Sequence, residues 1–168
     1  SWVWYYGDGT TGSTPSPSHA YTVPGQYTCS LIIADQSHCK DTVFYQITIH
    51  PLPIVDLGVD VPQGCVSHSV NFSDLSNDAV QWAWDFGDGS TSTSQSPGHT
   101  YTTPGTYDVI LSVVSSLGCV NSLTSTAMVK VFSLPIADFS PNPQKSSISD
   151  IFHFNNTSFN AASWSWDF

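Results

Sequence analysis

Two carboxylates three positions apart, Asp85 and Asp88, followed eleven residues on by His99, are the residue types that general acid–base chemistry or a metal site requires. The set recurs in part as Asp8 and His19. A plainer use competes with each. Asp88 lies in Gly87-Asp88-Gly89, and Asp in such a turn normally accepts hydrogen bonds from nearby backbone amides. A histidine without spaced Cys or further His around it is more readily a hydrogen-bonded member of the fold than a zinc ligand. Trp82 and Trp84 have the faces to stack on sugars, but their alternation with Phe86 puts all three on one side of a strand, which favours a core, with Trp82 the partly exposed member.

Other chemistries find little support. No serine stands in Gly-x-Ser-x-Gly, and neither a phosphate loop nor a zinc spacing is present, so an enzyme is not expected. No organic cofactor is expected either. Calcium is the one cation with candidate ligands, Asp56, Asp60 and Asp138, which lie near predicted unit junctions.

The elements that must hold these residues are written as a repeat. Trp82-Ala-Trp84-Asp85-Phe86-Gly87-Asp88-Gly89 echoes Trp2-Val-Trp4-Tyr5-Tyr6-Gly7-Asp8-Gly9, and a third copy begins at Trp164. Tyr21 and Tyr101, Tyr27 and Tyr107, and Cys39 and Cys119 are each 80 apart. Leu52-Pro53-Ile54 and Leu134-Pro135-Ile136 are 82 apart, which places an insertion of two between positions 119 and 134. A period this long exceeds a solenoid or propeller unit and suits one small β-sandwich. Residues 52–133 form a complete unit, 1–51 the later part of a first and 134–168 the opening part of a third. Such ends imply a window of a longer chain, or subunits that complete one another.

Within the complete unit, Pro53 to Leu57 and Ser69 to Ser76 predict the first two strands, and Trp82 to Phe86 a third. A loop from Ser90 to Ser96 leads through His99 and Tyr101 to a turn at Pro104-Gly105, where glycine would take positive φ. Tyr107, Val109, Leu111 and Val113 alternate along a long strand, and Thr124 to Phe132 return as the last. About seven strands in this span predict an all-β, immunoglobulin-like sandwich, with Tyr107 at a tyrosine corner. Helix formers are nearly absent. The acidic residues are all Asp, and only Lys40, Lys130 and Lys145 are basic, so the net charge is −10. That balance argues against nucleic acid and anionic lipid as partners. No apolar run approaches the ~20 residues of a membrane span.

At Trp84-Asp85-Phe86-Gly87-Asp88-Gly89, His99-Thr100-Tyr101 and Pro104-Gly105-Thr106-Tyr107, and at their counterparts in the first unit, the chain resembles the polycystic kidney disease (PKD) domains of bacterial surface proteins. The resemblance implies a β-sandwich used as a spacer, adhesion or interaction module, extracellular or at the cell surface, without catalysis. Tyr5-Tyr6 replaces Asp85-Phe86 in the first unit, which limits Asp85 to local hydrogen bonding.

Four cysteines suggest disulfides. Cys65 with Cys119 is the pair inside the complete unit, and a staple between neighbouring units is the rival; Cys39 falls in the loop before the last strand, and Cys29, with the inward parity of Tyr27, Leu31 and Ile33, fits either a buried thiol or a bridge to a strand outside the window. Asn71, Asn155 and Asn156 open N-glycosylation patterns, and Asp41-Thr42-Val43 resembles an O-glycan acceptor of some bacteria, with Thr42 accessible. The leading expectation is an extended stalk, adhesin or filament whose partners are neighbouring repeats or identical subunits. The alternative is a module binding carbohydrate or protein for a secreted hydrolase.

Overall fold

The computed structural model of the chain describes residues 1–142, 147–148 and 151–167, and none of these described residues is helical. Runs of Val, Ile, Tyr and Trp alternating with Ser, Thr and Asp have period two, which only a strand converts into a single apolar face.

The first repeat forms one antiparallel sheet in the order β2-β1-β3-β4, from β1 (Trp2–Tyr5), β2 (Thr11–Gly12), β3 (Gly25–Ala34) and β4 (Lys40–Ile49). The second forms two sheets. One is β10-β7-β5 and the other β6-β12-β11-β8-β9, built from β5 (Leu57–Val59), β6 (Gln63–Cys65), β7 (His68–Asp74), β8 (Ala79–Asp85), β9 (Thr91–Ser92), β10 (Gly98–Tyr101), β11 (Gly105–Ser115) and β12 (Val120–Phe132). A hairpin of β13 (Phe139–Asn142) and β14 (His153–Asn156) follows. The sheets of the second repeat face each other through Phe72 on β7 and Trp84 on β8, with ring centroids 5.6 Å apart. Around them Val70, Phe72, Trp84, Val109, Leu111, Val113, Val129 and Val131 are all at most 4% exposed. Burying each such side chain contributes on the order of 1.5–3 kcal/mol.

Spatially the chain divides into two compact units. One comprises Ser1–Val55, Ser76–Trp82 and Ser112–Ser122, and within it Asn121 Nδ2 donates to the Pro53 carbonyl at 2.9 Å while Ile54 bridges Asn77. The other comprises Asp56–Leu75, Ala83–Leu111 and Leu123–Phe168, and holds most of the core and the β13–β14 hairpin.

Several expectations need correction. Pro53 to Leu57 makes only the isolated Ile54 bridge, and the strand starts at Leu57, since Pro53 has no amide to donate. Gly105 does not take positive φ; it begins β11, and glycine is suited there because a Cβ would sit 3.1 Å from the Tyr107 ring. The Ser90–Ser96 loop contains β9. β6 runs parallel to the end of β12 with Cys65 opposite Phe132, whereas Cys119 immediately precedes β12. At ~3.3 Å per residue the length of β12 separates the two cysteines, so Cys65 and Cys119 do not form a disulfide. Trp164 to Asp167 repeats the β8 sequence yet forms no strand, and 18–21 repeats β10 yet forms none either. In the complete repeat those strands are hydrogen-bonded to β11 and β7.

The two-residue insertion also finds a place. β3 and β4 pair without interruption from Gly25–Ile49 to Ala34–Lys40, while in β12 Ala127 adopts φ of 52° and gives its amide to Asp108 Oδ1 at 2.7 Å. Two extra residues preserve the inside–outside alternation, so Val129 and Val131 face inward as Ile47 and Ile49 do.

Candidate functional site

The β8–β9 turn gathers the residues with potential chemistry. Gly87 and Gly89 have φ of 79° and 91°, which lets the chain reverse around Asp88. Asp85 Oδ1 accepts from the Gly87 amide and Asp88 Oδ1 from the Ser90 amide, each at 2.9 Å. The second Asp88 oxygen accepts from His99 Nε2 at 2.7 Å. The His99 ring lies flat against Phe86 at 4.3 Å and meets Tyr101 edge-on at 4.7 Å. Tyr101 is fully buried, donates its hydroxyl to the Phe86 carbonyl at 3.0 Å, and stacks on Tyr107 at 4.4 Å. Tyr107 in turn donates to the Thr103 carbonyl at 2.8 Å, four residues back across the Pro104 turn.

The first repeat builds the same network from counterparts eighty residues earlier. His19 reaches Asp8 at 2.7 Å and stacks on Tyr6 at 4.0 Å; Tyr21 donates to the Tyr6 carbonyl at 2.8 Å and Tyr27 to that of Val23 at 2.7 Å. Trp4 and Trp84 donate to the Thr14 and Ser94 carbonyls.

Electrostatics follow the contacts. Burial alone would raise the Asp88 carboxyl, but the hydrogen bonds from His99 and Ser90 outweigh it and hold the group below its ordinary value. Asp8 is lowered to about 2, chiefly by the Thr10 hydroxyl. Tyr21 is raised to about 12, first by its hydrogen bond with the Cys29 thiol, and burial pushes Tyr101 up. The carboxylate and imidazole thus spend their polar contacts and ring faces on each other and on the turn, which makes them fasteners of the fold.

The remaining candidates are dispersed. Asp60 accepts from the Val61 amide and from both the amide and side chain of Asn71, which together depress it, and Asp56 caps the Leu57 amide. Asp138 belongs to the β13 region, where its carbonyl accepts from Thr157. Among the described residues no three His, Cys or Asp side chains converge on one point. Thr42 is exposed on β4, an edge strand. Cys29 is buried, Cys39 and Cys65 are exposed, and all four cysteines are free thiols.

Exposed tryptophans lie on the first sheet and in the segment after β14. Trp82 is half-buried and Trp84 enclosed, whereas Trp2 is 42% and Trp164 64% exposed. A cavity of about 590 Å³ opens among Phe139, Phe154, Trp164, Trp166, Asp138 and Asp167. Sequence reasoning did not identify this cavity.

Comparison with known proteins gives a consistent picture. The sequence profile described as "PKD domain" matches residues 1–49 and 51–131. Over 72 residues the chain is 42% identical to a microbial collagenase of Vibrio alginolyticus, a match covering 40% of this chain and 9% of that relative's length. Among solved structures, the PKD1 domain of Vibrio anguillarum Epp is 30% identical with a TM-score of 0.43, covering 49% of this chain and 98% of that one. The PKD1 domain of the Vibrio cholerae metalloprotease PrtV is also 30% identical, with a TM-score of 0.42, over 48% of this chain and 99% of that one.

Proposed function

The chain belongs to the PKD domain family, and from that premise we propose that it is a non-catalytic extracellular module in which β-sandwiches repeated in tandem act as spacers of a stalk, adhesin or filament. The observation that carries this reading is the duplication of the Asp–His–aromatic–Tyr network in both matched segments. Side chains able to do chemistry are committed twice over to holding a turn against a strand, and a module used for its rigidity needs that arrangement. Abundant Ser, Thr and Asp on the solvent side and a net charge of −10 favour solubility outside the cell. Force spectroscopy of the chain between two handles tests it. The complete repeat should unfold as one cooperative event, and a featureless low-force extension would refute the spacer role.

A second reading is favoured by the identity with part of a microbial collagenase. In it the chain is an accessory module of a secreted hydrolase that holds the enzyme on a protein or carbohydrate substrate. Co-sedimentation with insoluble collagen and with polysaccharides separates the two readings, since a spacer stays in the supernatant.

A further inference from the structure

We propose that the outward face of the β2-β1-β3-β4 sheet is a glycan-binding platform, built on Tyr5 and Phe44 and suited to an uncharged, extended β-1,4-linked chain. This rests on the accessory-module reading, which it narrows from protein or carbohydrate to one class of carbohydrate and from the whole chain to one sheet face.

Strand parity separates this face from the one that carries Trp4, Tyr6 and Cys29. Tyr5 stands opposite Thr11 on β2 and Ser30 on β3, and Ser30 stands opposite Phe44 on β4, so one cross-strand row runs Thr11, Tyr5, Ser30, Phe44. Tyr5 is 47% and Phe44 67% exposed. Their counterparts in the second repeat, Asp85 and Thr124, are exposed as well, although that repeat has both of its layers. A row at this position therefore faces solvent in a finished sandwich.

The two repeats put different chemistry on the same face. Where the first has Tyr5, Thr28 and Phe44, the second has Asp85, Asp108 and Thr124, and its two carboxylates accept the backbone amides of Gly87 and Ala127. The first repeat thus lacks both carboxylates and has two aromatic rings in the place of polar side chains. Its four strands hold one acidic residue, Asp41, which pairs with Ile33 in a row of the opposite face. Lys40, opposite Ala34 at the end of β4, is the charged side chain of the outward face. In a chain of net charge −10, a face without a carboxylate and with its rings in water suits a ligand that is neutral, hydroxylated and flat-sided, as a sugar ring is.

The spacing adds a preference for linkage. β1 and β4 lie on either side of β3, and strands ~4.8 Å apart place Tyr5 and Phe44 about 10 Å from each other. A β-1,4-linked chain turns over at each sugar, so like faces recur at every second one, and two rings separated by two strand widths meet that recurrence. Ser30 between the rings, with Thr42 and Gln46 on the same face of β4, offers hydrogen-bond partners to the sugar in between. A protein partner would instead need an apolar core at the centre of the row, where Ser30 stands.

Calorimetric titration of the 168-residue chain with cellohexaose tests this, with maltohexaose as the α-linked and hexamannuronate as the charged β-1,4-linked comparison. Cellohexaose should bind, and the other two at least about tenfold more weakly. Tyr5→Asp and Phe44→Thr place here the residues that the second repeat carries, so the sheet should keep its fold, as near-ultraviolet circular dichroism will report. Each should weaken cellohexaose about tenfold and the two together should abolish its binding, whereas Phe44→Tyr keeps a ring and should stay within about threefold of the parent. Absence of heat with cellohexaose, equal affinity for maltohexaose or hexamannuronate, or a folded double variant that binds as the parent does would each overturn the proposal. A chain that sediments with insoluble collagen and binds no glycan overturns the platform and leaves the accessory-module reading standing. One that sediments with neither collagen nor polysaccharide overturns both.

Discussion

His99 Nε2 lies 2.7 Å from Asp88 Oδ2, and the imidazole that makes this contact is stacked on Phe86, the residue that follows β8 on the other side of the turn. One side chain therefore clamps the β8–β9 turn to β10 by hydrogen bond and by ring contact together. His99→Ala should cost about 1–2 kcal/mol, read from urea unfolding of the complete repeat, with the slope on denaturant unchanged.

Acid should loosen the same clamps. Asp8 and Asp88 are depressed in the folded state, so they contribute stability that is fully present above their unfolded values, near 4, and lost as pH falls through the folded ones. Thermal melts should drop steeply as pH falls from that point toward about 2, where Asp8 finally takes its proton. Asp8→Asn with Asp88→Asn should flatten the dependence. A double variant as acid-sensitive as the parent would count against these two carboxylates as its source.

Tyr101→Phe removes a hydroxyl from a fully buried position and leaves the Phe86 carbonyl without that donor. The expected loss is about 1–3 kcal/mol. Tyr107→Phe removes the equivalent bond to Thr103 at a site only partly buried, where water replaces it, and should cost less. Denaturant midpoints of the two variants give the order directly.

Gly87 and Gly89 both take positive φ, but only one is crowded. A Cβ at Gly87 would collide with the Asp108 carbonyl, while nothing approaches Gly89. Gly89→Ala should therefore cost roughly 1 kcal/mol of backbone strain. Gly87→Ala should cost several times as much, or prevent the repeat from folding, as circular dichroism will report.

Thiol reactivity should follow burial. Cys39 and Cys65 should react rapidly with a disulfide reagent in the native state, and Cys29, enclosed beside Tyr21, only after unfolding. Recovery of a Cys65–Cys119 linked peptide from native protein would contradict the parallel placement of β6 against β12.

Much of this was legible one residue at a time. The Trp-x-Trp-x-Phe alternation, the Gly-Asp-Gly turns and the 80-residue recurrence reside in local chain geometry: a strand has period two, a tight turn needs glycine, and a duplicated sequence makes duplicated bonds. They were sufficient for the all-β class, the repeat and the core positions of β11. What the linear pattern left open depends on a partner elsewhere in the chain. Trp164 to Asp167 has the residues of β8, and 18–21 those of β10, but a strand is completed by hydrogen bonds along its backbone, and among the described residues neither stretch is paired into a sheet. The parallel seat of β6, the separation of Cys65 from Cys119, and the exposed faces around Ile33 and Phe154 were likewise decided in three dimensions. Whether an apolar side chain is buried depends on the sheet that comes to lie across from it.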